Sequence, residues 1–466
     1  MDILNLLKDV KGITDNSKEV QEGYIFVAIK GSQTDGHNFV EEALKRGAKW
    51  VLVEKDVNIS DSRIVRVKDT RHALGELTHA FYGEPSKKLK VIGITGTNGK
   101  TTTTHIIESV LNKGGIKTGL IGTIYYRFMD KVYQYESRTT PNPILWHGTL
   151  RRMWEDGAQA VSAEVSSHAL DQKRVWPTCF EIVGFTNLSH DHLDYHKNMG
   201  EYFKAKLRLF KEYEYKHAIV NTDDPYGKRI HEELKGKAIT YGREGDFKIL
   251  DFSTNFDGSR LKVQYQGKVY NFYSNLVGEF QAYNLSAGIL CGMLLGVDPQ
   301  AIQEGIEKVY VPGRFETYKG DGFLVIVDYA HTPDALENVL KSVRKLCKGK
   351  VITLFGAGGN RDRTKRPIMG KVAQKWSDLV VITSDNPRDE DPIKIIRDIL
   401  EGIDDTSKVL IEEDRKRAIE LAISKAEQGD VVLIAGKGHE DYQEVKGVKH
   451  PFKDSQIVKE ALSVRL

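Results

Sequence analysis

Two groups of residues in this chain have the types and spacing of chemical sites. The first is the run Gly93-Ile94-Thr95-Gly96-Thr97-Asn98-Gly99-Lys100-Thr101-Thr102, which follows the β-branched pair Val91-Ile92. A strand that turns through glycines into a helix aims backbone N–H groups at an anion, and the helix N-terminus adds a favourable field. Lys100 can reach the outer phosphates of a nucleotide, and the Thr101 hydroxyl suits a magnesium ligand. The common form of this loop has glycine where this chain has Ile94, so the loop is a variant of the form Gly-x-x-Gly-Lys-Thr. Strand, Lys-Thr and helix stand in register, and nucleotide binding is therefore preferred over a bare glycine turn.

The second group is acidic and histidine-rich. Glu164-Val165-Ser166-Ser167-His168 ends one predicted strand, and Ser189-His190-Asp191-His192-Leu193-Asp194-Tyr195-His196 follows the next. Carboxylates and imidazoles at strand ends beside a phosphate loop are what a divalent-cation site needs, and oxygen ligands favour magnesium. A zinc hydrolase of the His-x-His-x-Asp-His type is a rival, but Tyr195 stands where its last histidine is required. Surface loop histidines are the bland alternative.

These groups need a scaffold, and the chain is long enough to supply one. Its 466 residues suggest roughly three domains, and 40% hydrophobic with 29% charged residues is a globular composition. A net charge of +3 gives no support to nucleic-acid or membrane-surface binding. Cys179, Cys291 and Cys347 are distant and odd in number, which favours a reducing compartment over a disulfide framework. Residues 1–9 read as an ordinary first helix rather than a signal peptide, and no apolar run reaches the roughly 20 residues of a membrane span. A cytoplasmic protein is expected.

Apolar β-branched runs alternate with helical periods in three sets. They are Tyr24–Ile29 with Lys49–Glu54, then Val91–Thr95, Ala158–Ser166, Glu181–Leu188 and His217–Asn221, then Phe323–Tyr329, Val351–Phe355, Leu379–Thr383, Val409–Glu412 and Val431–Ala435. This alternation predicts an α/β fold of mostly parallel sheets covered by helices. Between Phe247 and Leu276, short alternating runs separated by Asp257-Gly258 and Gln266-Gly267 predict a small antiparallel insertion. Boundaries near Lys88–Lys90 and Val311-Pro312-Gly313 give domains at 1–89, 90–312 and 313–466.

Taken in order, the motifs closely resemble the Mur ligase family, and the resemblance covers essentially the whole chain. It rests on Gly96–Thr102, Thr139-Thr140-Pro141, Glu164–His168, Asp191-His192, Tyr202–Lys206, Gly278–Asn284, Pro312–Glu316 and Asp328–Asp334. It implies a uridine-nucleotide domain, a central ATPase and a C-terminal Rossmann-like domain that brings an amino acid. Within the family, the chain is most similar to ligases that extend UDP-N-acetylmuramoyl-L-alanyl-D-glutamate. The implied reaction uses ATP and Mg2+, activates the glutamate carboxylate as an acyl phosphate, and forms an amide with an incoming amine.

The resemblance also implies site residues. Lys100 and Thr101 would hold phosphates and one magnesium, and Glu164 and His192 would hold cations. Lys206 matches a family lysine that becomes a carbamate, although composition alone reads it as a solvated helix face. Asn284, Arg314, Asp328 and His331 match positions around the nucleotide and a domain junction; Asp328 and His331 also read as a capped turn before a helix at Pro333. Ser17, Thr139, Thr140, Ser166, Gln172 and Arg174 match muramoyl-nucleotide contacts, and the Gly31–Thr34 loop aligns with another. Arg138 replaces the Asn of some relatives and is set aside. Asp385-Asn386-Pro387-Arg388 marks family members that use meso-2,6-diaminopimelate, whose distal carboxylate fits the planar fork of Arg388. Arg361, Gly436 and Glu440 match further contacts to that amino acid. Without the family, Asp-Asn-Pro-Arg reads as a turn, and Arg361 breaks the third glycine that a dinucleotide fold would need after Gly356 and Gly358.

The expected partners are these small molecules, with no nucleic acid and no membrane, and the expected state is a monomer. A lysine-adding ligase, a folylpolyglutamate synthetase-like ligase and a non-catalytic nucleotide switch are the alternatives.

Overall fold

The structure is a computed structural model describing residues 2–136 and 138–465. The chain forms two compact units, Met1–Lys248 with Ser286–Gly305, and Ile249–Leu285 with Ile306–Leu466.

The first unit begins with a parallel sheet of β1 (Gly12–Thr14), β2 (Tyr24–Val27), β3 (Trp50–Val53) and β4 (Ile64–Arg66), paired in that order. Residues 3–7 form a 3-10 helix capped by the Asp2 side chain, in place of the longer helix expected over 1–9; Met1 lies outside the described residues. A larger sheet follows, made from β5 (Lys90–Thr95), β6 (Thr118–Ile121), β7 (Tyr126–Phe128), β8 (Lys131–Val132), β9 (Ala160–Glu164), β10 (Phe180–Phe185), β11 (Tyr215–Asn221) and β12 (Ile239–Gly242). Its order in this unit is β12-β11-β10-β5-β9-β6-β7-β8.

Strand β5 lies between β9 and β10 and runs parallel to both. The chain segments leaving β5, β9 and β10 therefore emerge at one sheet edge, where an open parallel sheet places ligands. Every residue of β9 and all but Lys90 of β5 are buried, as expected of strands covered on both faces. The sequence reading missed β6, because Thr118-Gly119-Leu120-Ile121 carries a glycine in a run of only four residues.

The second unit holds most of β13 (Phe247–Asn255), with β14 (Gly258–Tyr265) and β15 (Lys268–Ser274) paired antiparallel. Gln266 and Gly267 join them with φ of +49° and +77°, the paired positive dihedrals of a tight hairpin turn. Gly258 already belongs to a strand, so that turn lies one residue earlier than expected. A six-stranded sheet completes the unit: β16 (Glu316–Lys319), β17 (Leu324–Asp328), β18 (Val351–Phe355), β19 (Leu379–Ile382), β20 (Val409–Ile411) and β21 (Val431–Ala435), in the order β16-β17-β21-β18-β19-β20. All pairs but β16–β17 are parallel, so β17, β18, β19 and β21 also end at one edge. The hairpin β22 (Tyr442–Val445) and β23 (Val448–Pro451) follows.

Helices start where local chemistry predicts. Thr332 caps Pro333–Leu346 through Ala335 N, and Asp391 caps Pro392–Leu400 through Ile393 N, each with proline in the first turn. Among the described residues, no helix is long and apolar enough to cross a membrane.

Arg415 locks the edge of the second sheet. Its guanidinium pairs with Asp454 at 2.7 Å, with both side chains fully buried, and also donates to the carbonyls of Ser384 and Ala435. Removing one partner leaves a buried charge uncompensated. Arg415→Ala should therefore cost about 3–5 kcal/mol in urea unfolding, and Arg415→Met with Asp454→Leu should cost less. A loss below about 1 kcal/mol for the single variant would contradict this role.

Candidate functional site

The phosphate loop connects β5 to the helix Lys100–Lys113. Gly96 has φ +150°, and a Cβ there would sit 1.8 Å from Thr186 Oγ1. That approach is what requires glycine. Thr186 and Asn187, just past β10, hold the loop from the side. Thr186 Oγ1 donates to Asn98 O at 2.7 Å, and Asn187 exchanges hydrogen bonds with the Asn98 backbone at 2.9 and 3.0 Å. Gly99, at φ +87°, opens the helix with no side-chain cap, which leaves its first N–H groups for an anion. Thr101 and Thr102 are buried at that end. Lys100 Nζ donates to Gly96 O at 2.7 Å and Thr97 O at 3.1 Å.

Lys206 reaches the same place from the helix Met199–Lys211. Its Nζ donates to Gly96 O at 2.9 Å, and the residue is 1% exposed. Burial first, and the Lys100 charge second, hold its pKa well below the ordinary lysine value, with Asp191 opposing. The reading of Lys206 as a solvated helix face is thus corrected. Lys204, two positions earlier and so on another face, is the solvated one, with its side chain 70% exposed. Tyr202, one turn from Lys206, pairs its hydroxyl with Thr97 Oγ1 at 3.0 Å.

Glu164, at the end of β9, is 1% exposed. Thr123 engages both of its oxygens, N to Oε1 at 2.9 Å and Oγ1 to Oε2 at 3.0 Å. His192 is at φ +52°, 3.3 Å from Asp191 through Nε2, with its ring 5.0 Å from that of His168. Among the described residues, no three His, Cys, Asp or Glu side chains converge as a metal site.

The residues expected to contact the muramoyl nucleotide form one network, Ser17 excepted. Thr139 Oγ1 lies 3.1 Å from Thr123 Oγ1, and Thr140 Oγ1 donates to Glu164 O and accepts from Ser166 N. Arg174 donates to Thr140 O at 2.9 Å and doubly to Gln172 Oε1. Its pKa is lowered to about 10, by burial first and then by Arg138. Arg174 and Gln172 line a cleft with Asp15, Arg71, Arg138 and Asn142. Arg138, set aside on sequence, stands in this cleft, and three arginines make it suited to an anion. Ser17, two residues from Asp15 of the cleft, donates to Glu42 Oε2 at 2.9 Å; Gly31 N bonds Thr34 O within its own loop.

In the second unit, Asp328 closes β17, accepting from Phe315 N and Ala330 N at 2.7 and 2.8 Å. Burial raises its pKa and Arg314 opposes the rise. Arg314 lies 4.7 Å over the Tyr329 ring, His331 Nδ1 is 2.9 Å from Tyr329 O, and Asn284 Nδ2 donates to Gln281 Oε1.

The Asp385–Arg388 segment leaves β19 and packs on the glycine loop after β18. Gly359 N donates to Asn386 O, and a Cβ on Gly359 would fall 1.9 Å from Pro387 O. Arg388, at φ +53°, donates from Nη1 to Gly359 O at 2.8 Å and from Nε to Glu444 Oε2 at 3.1 Å. Asn386 Nδ2 donates to Glu440 Oε2 at 3.0 Å. Gly436, at φ +114°, has Asp385 Oδ2 only 2.7 Å from where a Cβ would be. Arg361 is exposed on the same glycine loop. These residues come together at the edge formed by β18, β19 and β21. Sequence reasoning missed Thr123, Arg71, Lys437 and Glu444; of these Lys437 lies next to Gly436, which the resemblance did assign.

Comparison with known proteins matches this geometry to one family. Residues 9–82 match the Mur ligase family catalytic domain, 94–292 the Mur ligase middle domain, and 313–438 the Mur ligase glutamate ligase domain. The chain is 60% identical over 462 residues to the UDP-N-acetylmuramoyl-L-alanyl-D-glutamate--2,6-diaminopimelate ligase of Aquifex aeolicus, covering 99% of this chain and 95% of that one. It is 42% identical to the Clostridium perfringens ligase of the same name, covering 97% and 95%. A solved ligase of that name superimposes with TM-score 0.73 at 34% identity, covering 98% of this chain and 95% of the other. The Thermotoga maritima MurF ligase in complex with ADP, at 20% identity and TM-score 0.62, shares the fold over both full lengths. With relatives this similar along its whole length, the chain belongs to the Mur ligase family and has its three-domain α/β fold.

Proposed function

We propose that this chain is an ATP-dependent amide ligase that joins meso-2,6-diaminopimelate to the side-chain carboxylate of UDP-N-acetylmuramoyl-L-alanyl-D-glutamate, a step of peptidoglycan precursor synthesis. The observation that carries the choice of amino acid is Arg388, held by Gly359 and Glu444 beside the Asn386–Glu440 pair. A guanidinium fixed at two of its nitrogens is oriented for a carboxylate that lysine lacks. In this reading, residues 1–89 take the uridine nucleotide, 90–312 the ATP, and 313–466 the amino acid. The enzyme acts on small molecules, as a cytoplasmic monomer.

A carboxylate is a poor acceptor for an amine, because its charge repels and its oxygen leaves badly. The substrate carboxylate therefore attacks the γ-phosphorus of ATP, ADP leaves, and an acyl phosphate forms. The amine then attacks the acyl carbon, inorganic phosphate leaves, and the amine gives up a proton. Both steps gather negative charge, so positioned cations and N–H donors supply most of the catalysis. Residues Gly96, Thr97, Asn98, Gly99, Lys100, Thr101 and Thr102 cradle the phosphates, and Asn284, Arg314, Asp328 and His331 serve the rest of the nucleotide. Ser17, Thr139, Thr140, Ser166, Gln172 and Arg174 hold the muramoyl nucleotide; Arg361, Asp385, Asn386, Pro387, Arg388, Gly436 and Glu440 hold diaminopimelate.

Magnesium fits the donor chemistry at the phosphate loop. Thr101, Glu164, His192 and Lys206 as a carbamate (N6-carboxylysine) would hold it, and when bound it offsets phosphate charge. Lys206 suits that modification because its burial favours the neutral amine, the form that adds to carbon dioxide.

Phosphate release from ATP, measured with magnesium and the muramoyl dipeptide nucleotide, tests the reading. Release is expected with meso-diaminopimelate and not with L-lysine or without an amine. Release with lysine would keep the ligase and discard the role of Arg388. Release without the muramoyl substrate would favour a nucleotide switch. In the same assay, Arg388→Ala should lower kcat/KM for diaminopimelate about tenfold to a hundredfold, equivalent to roughly 1.5–3 kcal/mol, with KM for ATP unchanged. An equal rise in both KM values would contradict the assignment.

A further inference from the structure

Lys437 is a fully buried lysine, with a side chain 0% exposed, in the loop after β21. Its Nζ donates to Asn386 Oδ1 and to Glu440 Oε2, each at 2.9 Å. It also lies 5.5 Å from the centre of the Tyr442 ring. Glu444 N is the second donor to Asn386 Oδ1, at 2.9 Å, while Asn386 Nδ2 donates to Glu440 Oε2. The carboxamide of Asn386 thus has two donors at one end and an acceptor at the other. A flip would set like against like at both ends, so the amide has one orientation.

A lysine buried for stability alone has a cheaper substitute. Well-packed apolar side chains replace buried ion pairs at little cost and often with gain. What an apolar side chain cannot do is fix the Asn386 amide and hold the Glu440 carboxylate on one oxygen. Both contacts to Glu440 fall on Oε2, so they set the rotation of the carboxylate and the placement of Oε1. Glu444, whose backbone joins this network, also holds Arg388 through its side chain. The same few bonds therefore fix the carboxylate that would meet an ammonium and the guanidinium that would meet a carboxylate.

We propose that Lys437 is a positioning residue for the amino-acid substrate: it orients Asn386 and Glu440, and through Glu444 it is coupled to Arg388. This rests on the proposed diaminopimelate site. The side-chain partners of Lys437, Asn386 and Glu440, both belong to the proposed amino-acid site, so its effect should fall on the amine substrate. A misplacement of about 1 Å in a binding group costs up to about a hundredfold.

The test is steady-state kinetics of Lys437→Met and Lys437→Arg, with KM read separately for ATP, the muramoyl nucleotide and the amine. Lys437→Met should raise KM for diaminopimelate at least about tenfold and leave the other two within about twofold. Lys437→Arg, which keeps the charge but not the single-point geometry, should fall between wild type and Met. If Lys437→Met does not fold, the Arg variant decides: a raised KM for the amine alone supports the role. An unchanged KM for the amine in a folded variant, or a parallel rise in all three values, would overturn it. Wild-type enzyme indifferent to diaminopimelate would instead overturn the functional reading, and this assignment with it.

Discussion

One carbonyl oxygen, that of Gly96, accepts hydrogen bonds from two lysines. Lys100 reaches it from the first turn of its own helix and Lys206 from a neighbouring one. Two ammonium groups on one acceptor repel each other, and Lys206 is buried away from water that would screen the repulsion. Burial and the neighbouring Lys100 charge both disfavour the charged form of Lys206. The rest of the first unit serves that arrangement. Gly96 lacks the Cβ that would strike Thr186, Asn187 fastens the loop at Asn98, and Tyr202 holds Thr97 on the helix that carries Lys206.

Both large sheets solve the same positioning problem. Parallel strands share a C-terminal edge, and side chains from segments far apart in sequence are brought together there. In the first sheet, β5, β9 and β10 bring the phosphate loop, Glu164 and Thr186 to one edge. In the second, β18, β19 and β21 bring the glycine loop, Arg388 and Glu440 together. The loops themselves are held by close backbone approaches, such as Gly359 against Pro387, and by side chains that bond their backbone, such as Arg366 to Gly358 O and Arg388 to Gly359 O. Rigid strands and closely fitted glycines do for these sites what a hydrophobic core does for the fold.

Much of this was legible in the sequence, because it is written locally. Apolar β-branched runs such as Val351–Phe355 and Val431–Ala435 appear as strands with the boundaries expected. The phosphate loop could be read because strand, glycine, lysine and helix are contiguous. What escaped reading depends on long-range contacts. Lys206 enters the site through the family motif, whereas composition alone reads it as a solvated helix face; only the fold shows that its face meets Gly96. Thr123, which grips Glu164 from 41 positions away, carries no local signal. Arg138 was discounted for differing from relatives, yet it joins Arg71 and Arg174 in one cleft. Residues 1–9 lack the features of a signal peptide and read as an ordinary first helix, but the regular part, Ile3–Leu7, is only a 3-10 helix.

The state of Lys206 is the claim on which the chemistry of the phosphate loop turns. The most direct measurement is 13C NMR of the protein equilibrated with 13C-bicarbonate, comparing wild type with Lys206→Arg. A carbamate carbon resonance should appear in the wild type and be missing from the variant. Because burial lowers the pKa of this amine, the resonance should persist at neutral pH and fade on acidification, as the amine takes up a proton and loses its nucleophilic pair. A wild-type spectrum without that resonance at neutral pH and saturating bicarbonate would contradict the account, and so would a resonance that survives in Lys206→Arg.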